Sequence, residues 1–275
     1  MNRQIPDTMT TAADGSPMQL IRIGDRELAF ACSGQGSPTI VLETGLGAES
    51  AEWETVERGV ASFARVFRYD RAGRGMSAPA RTPRDAHMMV DELHELLRAA
   101  DFPGPYLLVG QSLGGLLMRV FAQRYRAEVA GLVLVDSMHE DQFDVFGPAF
   151  PPPTPSDPPP LEGMRQFWTS GWKKPESTVE RVDFVEAIRQ SREVGSLGDL
   201  PLDIITAGTF LHMPFVPPDR RDTLQGLWEG LQERFLRLSS RSTQTFVRTS
   251  GHFVQRDDPR VVIESIRRVV CRKSD

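Results

Sequence analysis

One short string, Gly110-Gln111-Ser112-Leu113-Gly114-Gly115, constrains this chain more than any other feature. It follows the apolar run 106–109, which is typical of a buried strand, and it opens the helix-like segment 116–124. A serine held at a sharp turn from strand to helix is exposed, and flanking glycines leave room where larger side chains would collide with backbone. The helix behind it offers unpaired N–H groups to a developing negative charge. The pattern therefore predicts that Ser112 is a catalytic nucleophile.

Apolar segments alternate with helical patterns on both sides of this string. The predicted strands are 18–23, 26–33, 39–42, 66–69, 106–109, 131–135, 202–208 and 244–248. The predicted helices are 53–63, 85–100, 116–124, 220–238 and 259–270. Short apolar strands separated by helices are typical of a parallel sheet covered on both faces. We therefore predict an α/β fold with a mostly parallel, eight-stranded sheet.

Regular alternation stops after Asp136. Residues 138–200 contain the proline triplets 151–153 and 158–160, and proline lacks the N–H that a sheet requires. The same segment is rich in aromatic side chains, namely Phe143, Phe146, Phe150, Phe167, Trp168 and Trp172. We predict that these rings either contact the substrate or hold the segment against the core. The predicted organisation is a leader at 1–17, a core at 18–137 and 201–275, and a cap or lid at 138–200, inserted after the sixth strand.

A serine nucleophile needs a general base, and histidine suits neutral pH. The candidates are His87, His94, His139, His212 and His252. His252 is the best placed, because it follows the last predicted strand and parallel sheets collect reactive groups on loops at the carboxyl ends of strands. The adjacent side chains of 139–141 point in different directions, so we interpret that tripeptide as a solvated hinge rather than a metal site.

Composition excludes several classes of function. The 275 residues carry a formal net charge of -5 with dispersed Lys and Arg, so the basic patch that nucleic acid requires is missing. The first residues lack a basic start leading into an apolar stretch, and no run is long enough to span a membrane. Cys32 and Cys271 form neither a metal-ligand spacing nor a disulfide framework. We expect a cytoplasmic protein with a small-molecule substrate and no nucleic-acid partner, either monomeric or homodimeric.

From about residue 20 to 270, the chain resembles the α/β-hydrolase superfamily, in its serine-nucleophile, esterase-like branch. The strings that carry the resemblance are Leu42-Glu43-Thr44-Gly45-Leu46-Gly47, Asp70-Arg71-Ala72-Gly73-Arg74-Gly75-Met76-Ser77, the 110–115 string and Gly251-His252. The resemblance implies an α/β-hydrolase fold with helices on both faces of the sheet, and the chain order of nucleophile, acid and histidine.

The resemblance also bears on the oxyanion hole and the acid. Many relatives have His-Gly where this chain has Thr44-Gly45, but the hole needs backbone N–H groups, which we assign to Leu46 and Leu113. Many relatives place the acid after the seventh strand, yet 209–214 contains no carboxylate. Other relatives place it after the sixth strand, where Asp136 stands. Asp136 is the predicted acid, and the alternatives are Asp219, Asp222, Glu140, Asp141 or no acid at all.

These residues predict a serine hydrolase that cleaves a carboxylic ester or related acyl bond through an acyl-enzyme, without a metal or organic cofactor. The aromatic cap and the absence of a basic rim favour a neutral, apolar substrate group. Thioesterase, lactonase, carbon–carbon bond hydrolase, aminopeptidase and perhydrolase chemistry remain alternatives, because the scaffold does not set the reaction. A non-catalytic small-ligand binder is an alternative of another class. Glu43 has no assigned role.

Overall fold

The computed structural model describes residues 16–80, 83–150 and 152–272, so most of the predicted leader lies outside the described residues. The strands of the sheet are β1 (Gln19–Ile23), β2 (Arg26–Ser33), β3 (Thr39–Glu43), β4 (Arg65–Tyr69), β5 (Tyr106–Gln111), β6 (Val129–Val135), β7 (Leu202–Ala207) and β8 (Ser242–Val247). Their order is β1-β2-β4-β3-β5-β6-β7-β8. β1 and β2 pair antiparallel, as do β2 and β4, and the remaining neighbours pair parallel. The predicted eight-stranded, mostly parallel sheet is confirmed.

Helices cover both faces of this sheet. They are α1 (Glu54–Ala61), α2 (Ala86–Ala99), α3 (Leu113–Arg124), α4 (Gln142–Ala149), α5 (Pro159–Thr169), α6 (Phe184–Arg192), α7 (Pro218–Arg234), α8 (Val254–Asp257) and α9 (Pro259–Arg272). The predicted helix 220–238 is in fact an α-helix only to Arg234, and Phe235–Leu238 continue it as a tighter 3-10 turn. No helix in the described parts of the chain combines the length and apolarity needed to cross a bilayer.

Successive residues of the buried strands point to opposite faces of the sheet, which divides the core in two. Val41 of β3 joins the cluster that packs under α2 and α3, whereas its neighbours Ile40 and Leu42 join the cluster under α1 and α9. All three side chains are completely buried. The continuous apolar run 39–42 predicted a strand that is buried on both faces. In the structure, helices pack on both faces of this strand.

Residues 138–200, which we call the cap segment, connect β6 to β7. Within its described residues the segment forms α4, α5, α6 and short 3-10 turns, and it adds no strand to the sheet. A separate apolar cluster joins its Phe146 and Phe150 to Phe210 and Trp228 of the following part of the chain. The segment therefore lies against the region where β7 ends. The domain boundaries at 137/138 and 200/201 stay predictions.

Candidate active site

Ser112 occupies the turn between β5 and α3, with φ 53° and ψ -121°. A positive φ is costly for a residue with a side chain, and such strain persists only where the surroundings enforce it. The glycines of the string allow the turn to close. A Cβ on Gly114 would lie 2.5 Å from the carbonyl oxygen of Glu43, and one on Gly110 would collide with the carbonyl of Gly114. The local backbone is thus that of a sharp strand-to-helix turn with the serine at its tip.

His252 and Asp136 come from different loops and meet beside this turn. The structure places Asp136 directly after β6 and His252 in the loop between β8 and α8. Nδ1 of His252 lies 2.6 Å from Oδ2 of Asp136. The carboxylate is completely buried, and the imidazole is about three-quarters buried. A carboxylate that accepts from Nδ1 fixes the ring and its tautomer, and it leaves Nε2 as the nitrogen available for proton transfer.

Three further donors surround the Asp136 carboxylate. Oδ1 accepts from the backbone N–H of Ala207 at 2.9 Å and from Trp228 Nε1 at 2.7 Å. The hydroxyl of Thr209 donates to Oδ2, the oxygen that also faces His252. A buried carboxylate with its lone pairs occupied in this way is held in one orientation.

Sequence reasoning missed both side-chain donors. Thr209 carried a signal, since it stands just after β7, where many relatives have the acid. The sequence gives no signal for Trp228, because its position on a helix does not indicate which loop its side chain faces.

The alternative acids lie elsewhere. Asp219 and Asp222 are exposed on α7. Glu140 pairs with Arg119 at 2.9 Å, and Asp141 pairs at 3.0 Å with arginines of α6 and α7.

The other histidines also lie outside the pocket that Ser112 and His252 line. His94 pairs with Glu128 at 3.0 Å, and His212 contacts the Arg248 carbonyl oxygen at 2.8 Å. His139 is buried rather than solvated, so that part of the hinge prediction is wrong; burial lowers the pKa of its imidazole to about 4.

Ser112 and His252 line one cavity of about 220 Å³. Leu46 and Leu113 line the same cavity, and Leu113 is the first residue of α3, where N–H groups have no acceptor within the helix. The remaining lining is largely apolar: Met138, Phe143, Met164, Phe167, Trp168, Phe184, Phe210, Met213, Trp228 and Phe253. Among the described residues, no Lys, Arg, Asp or Glu lines this cavity.

The cap aromatics divide between the two predicted roles. Phe143, Phe167 and Trp168 line the cavity, so they are placed to contact a ligand. Phe146 and Phe150 are buried away from it, and Phe146 stacks on Phe210 with ring centroids 4.8 Å apart. Phe143 and Trp168 also pack in the apolar clusters, so cavity-lining rings help to hold the segment against the core, and substrate contact stays a prediction.

Over residues 16–80, 83–150 and 152–272, no three His, Cys, Asp or Glu side chains come together as they would around a metal ion. The tripeptide 139–141 instead makes hydrogen bonds and ion pairs with neighbouring side chains and its own backbone.

A family model described as the alpha/beta hydrolase fold matches residues 38–178, more than half of the chain. The chain belongs to the α/β-hydrolase family. Uncharacterized protein YqjL of Bacillus subtilis (strain 168) is 28% identical over 240 residues, which are 86% of this chain and 85% of that protein. A 2-hydroxy-6-oxo-6-(2'-aminophenyl)hexa-2,4-dienoic acid hydrolase of Metapseudomonas resinovorans is 29% identical over 131 residues, 45% of each chain.

The structure of a thermophilic esterase from Thermogutta terrifontis superposes on this α/β-hydrolase with a TM-score of 0.59 and 19% identity. That superposition covers 93% of this chain and 98% of the esterase. The likeness supports the fold over nearly the whole chain.

Proposed function

We propose that this protein is a serine hydrolase that cleaves a carboxylic ester of a small, largely apolar substrate. The observation that carries the proposal is the 2.6 Å contact between His252 Nδ1 and the buried carboxylate of Asp136, with Ser112 on the same cavity. This combination supplies a nucleophile, a base and a group that orients the base. The strained backbone of Ser112 supports the same interpretation.

In the proposed reaction, Ser112 Oγ attacks the acyl carbon while Nε2 of His252 accepts its proton. The N–H groups of Leu46 and Leu113 stabilise the oxyanion of the tetrahedral intermediate. Protonated His252 then gives its proton to the departing alkoxide, which leaves as the alcohol, and Asp136 stabilises the imidazolium during these steps. A water molecule, deprotonated by His252, hydrolyses the acyl-enzyme by the reverse sequence.

The cavity lining favours an uncharged substrate. Carbon–carbon bond hydrolysis is one of the alternatives. A carboxylic acid substrate, such as the dienoic acid in the name of the relative from Metapseudomonas resinovorans, would require a cation to receive its carboxylate. An aminopeptidase would require an anion for the substrate amine. The described lining offers neither, whereas its aromatic and methionine side chains suit an apolar acyl or alcohol group.

The alternative of a non-catalytic binder rested on the absence of a carboxylate after β7. The contact of Asp136 with His252 weakens that alternative, because an acid reaches the histidine from the neighbouring strand β6.

The test combines covalent labelling with a mutation. We expect a fluorophosphonate probe to label the wild-type protein at Ser112, and Ser112→Ala to lower hydrolysis of p-nitrophenyl butyrate by about 10⁴-fold or more. Ser62→Ala, which removes an exposed hydroxyl from the end of α1, is the matched control and should retain full activity. Activity that survives in Ser112→Ala, or an unlabelled Ser112, would refute the proposal. A parallel assay of thioesters, lactones and acid-bearing substrates tests the substrate class.

A further inference from the structure

A buried cluster of charges lies beside the loop of residues 43–47, which we call the oxyanion loop. Arg71 is fully buried between the carboxylates of Glu43 and Glu180. Its Nε and Nη2 donate to the two oxygens of Glu180 at 2.6 and 2.7 Å, and Nη1 donates to Glu43. None of these side chains lines the cavity or takes part in the proposed reaction. Burying three charged groups together carries a large desolvation cost, so the position of the cluster requires an explanation.

Arg71 also binds the backbone of the oxyanion loop. Nη1 donates to the carbonyl oxygen of Thr44 at 2.7 Å, and Nη2 donates to that of Gly45 at 2.6 Å. The Gly45 carbonyl and the Leu46 N–H belong to one trans peptide unit, in which C=O and N–H point in opposite directions. By holding the Gly45 carbonyl, Arg71 therefore fixes the direction of the Leu46 N–H. A charged donor on the carbonyl also polarises the peptide and strengthens its N–H as a donor.

Glu180 holds the other end of the loop and belongs to the cap segment. Its Oε1 accepts from the N–H of Gly47 at 2.6 Å. Its neighbours are tied to the core by two backbone hydrogen bonds, from Arg84 N to Arg181 O at 3.1 Å and from Asp183 N to Arg84 O at 2.9 Å. The peptide of Leu46 is thus held on both sides, by Arg71 before it and by a cap carboxylate after it.

The charges of the cluster differ in their response to burial. Burial raises the pKa of the Glu43 carboxyl, which makes fewer contacts with Arg71. For Glu180, the guanidinium of Arg71 outweighs burial and lowers the pKa of the carboxyl. Arg71 makes two parallel hydrogen bonds to Glu180 and one to Glu43, so Glu180 is its bidentate partner.

We propose that Arg71 and Glu180 are positioning residues for the oxyanion hole, and that the hole is complete only when the 180–183 part of the cap segment is seated on the core. Arg71 orients the Leu46 peptide, and Glu180 orients Arg71 and holds Gly47. The inference rests on the proposed function, because an oxyanion hole matters only if Ser112 attacks a carbonyl.

The experiment compares two buried ion pairs. The test variants are Glu180→Gln and Arg71→Lys, and the matched controls are Glu57→Gln and Arg68→Lys. Arg68 and Glu57 form an equally buried pair at 2.5 Å between β4 and α1, and neither lines the cavity. Values of kcat are normalised to the sites titrated by fluorophosphonate, so that loss of folded protein is not counted as loss of catalysis.

We expect Arg71→Lys to lower kcat on p-nitrophenyl butyrate by about 100-fold and Glu180→Gln by about tenfold, while KM changes by less than about threefold. Affinity for an aryl trifluoromethyl ketone, whose serine adduct carries an oxyanion, should fall in parallel. Glu180→Asp, which keeps the charge, should recover part of the loss. The control variants should keep kcat within about twofold even where Tm falls.

Two outcomes would overturn the proposal, and they are distinguishable. If the test variants lower Tm but leave kcat and trifluoromethyl ketone affinity within about twofold of wild type, the positioning role is wrong and the serine hydrolase proposal stands. If the wild-type protein shows no activity that depends on Ser112, the proposed function fails and this inference fails with it.

Discussion

The floor and the roof of the cavity are built in different ways. The floor consists of Ser112 and His252 at the carboxyl edge of the sheet. Behind His252 lies the buried carboxylate of Asp136, which hydrogen bonds of 2.6 to 2.9 Å hold in place. The roof consists of cap side chains such as Phe143, Phe167 and Phe184, which touch mainly through ring contacts. Hydrogen bonds to a buried charge are directional, whereas ring packing tolerates changes of shape.

Under the proposed function, this comparison separates the groups that carry out the chemistry from those that select the substrate. Groups that must hold a proton or a charge in one place lie on strand ends, which the sheet makes rigid. Several of the groups proposed to enclose the substrate lie in the cap segment, which also contributes the charged Glu180 beside the oxyanion loop. We therefore expect floor mutations to lower catalysis for all substrates, and roof mutations to change the preference among substrates.

The largest expected effect tests the floor. Asp136→Asn should lower kcat by about 10³ to 10⁴-fold, because an amide in that position no longer stabilises the imidazolium and favours the wrong tautomer of His252. Asp219→Asn, at an exposed carboxylate that sequence reasoning had left as an alternative acid, is the control and should leave kcat unchanged. Steady-state kinetics on p-nitrophenyl esters measure both. An Asp136→Asn enzyme that retains a tenth of its activity would contradict this description of the floor.

The next effect concerns stability at the junction of floor and roof, where His139 is buried three residues after Asp136. Burial lowers the pKa of His139 from 6.5 to about 4, and the charges that face it are Glu140, Asp141, Arg119 and Arg234. Between these pH values the unfolded chain binds a proton that the native protein does not. The free energy of unfolding is therefore not reduced by His139 above pH 6.5. As the pH falls toward 4, protonation of His139 in the unfolded chain lowers that free energy by an amount on the order of 3 kcal/mol.

Urea unfolding between pH 4.5 and 7.5 measures this contribution. His139→Asn removes the titrating group, so its free energy of unfolding should depend less steeply on pH than that of the wild type. Equal pH slopes for the two proteins would show that His139 does not contribute. The absolute stability of the variant does not enter the test.

The smallest effect tests the roof. Phe167→Ala removes a ring from the cavity lining and should lower kcat/KM for p-nitrophenyl hexanoate by about tenfold, which corresponds to about 1.4 kcal/mol of lost apolar contact. The acetate ester, which is too short to fill the space, should change by less than about twofold. Val185→Ala, an exposed position on α6, is the control. If kcat/KM fell equally for the hexanoate and acetate esters, the prediction that roof mutations change substrate preference would be wrong.

The sequence by itself predicted the sheet, the strand-to-helix turn at Ser112 and the residue types of the candidate site. These features depend on local patterns: apolar runs of four or five residues, glycines at a tight turn, and a histidine after the last strand. It also favoured Asp136 among five carboxylates, on family resemblance. Local patterns did not predict the hydrogen-bond donors to the Asp136 carboxylate, since the donor Trp228 lies 92 positions away on a helix.

Only the tertiary structure decided which distant groups meet. His252 and Asp136 are 116 positions apart, and they come together because β6, β7 and β8 are neighbours in the sheet and end at one edge. Arg71 and Glu180 are 109 positions apart, and they meet because the cap segment returns to the core beside Arg84. Neither contact can be predicted from the separation of the residues along the sequence. Strand order and the path of a long connection depend on burial of the whole core and not on neighbouring residues.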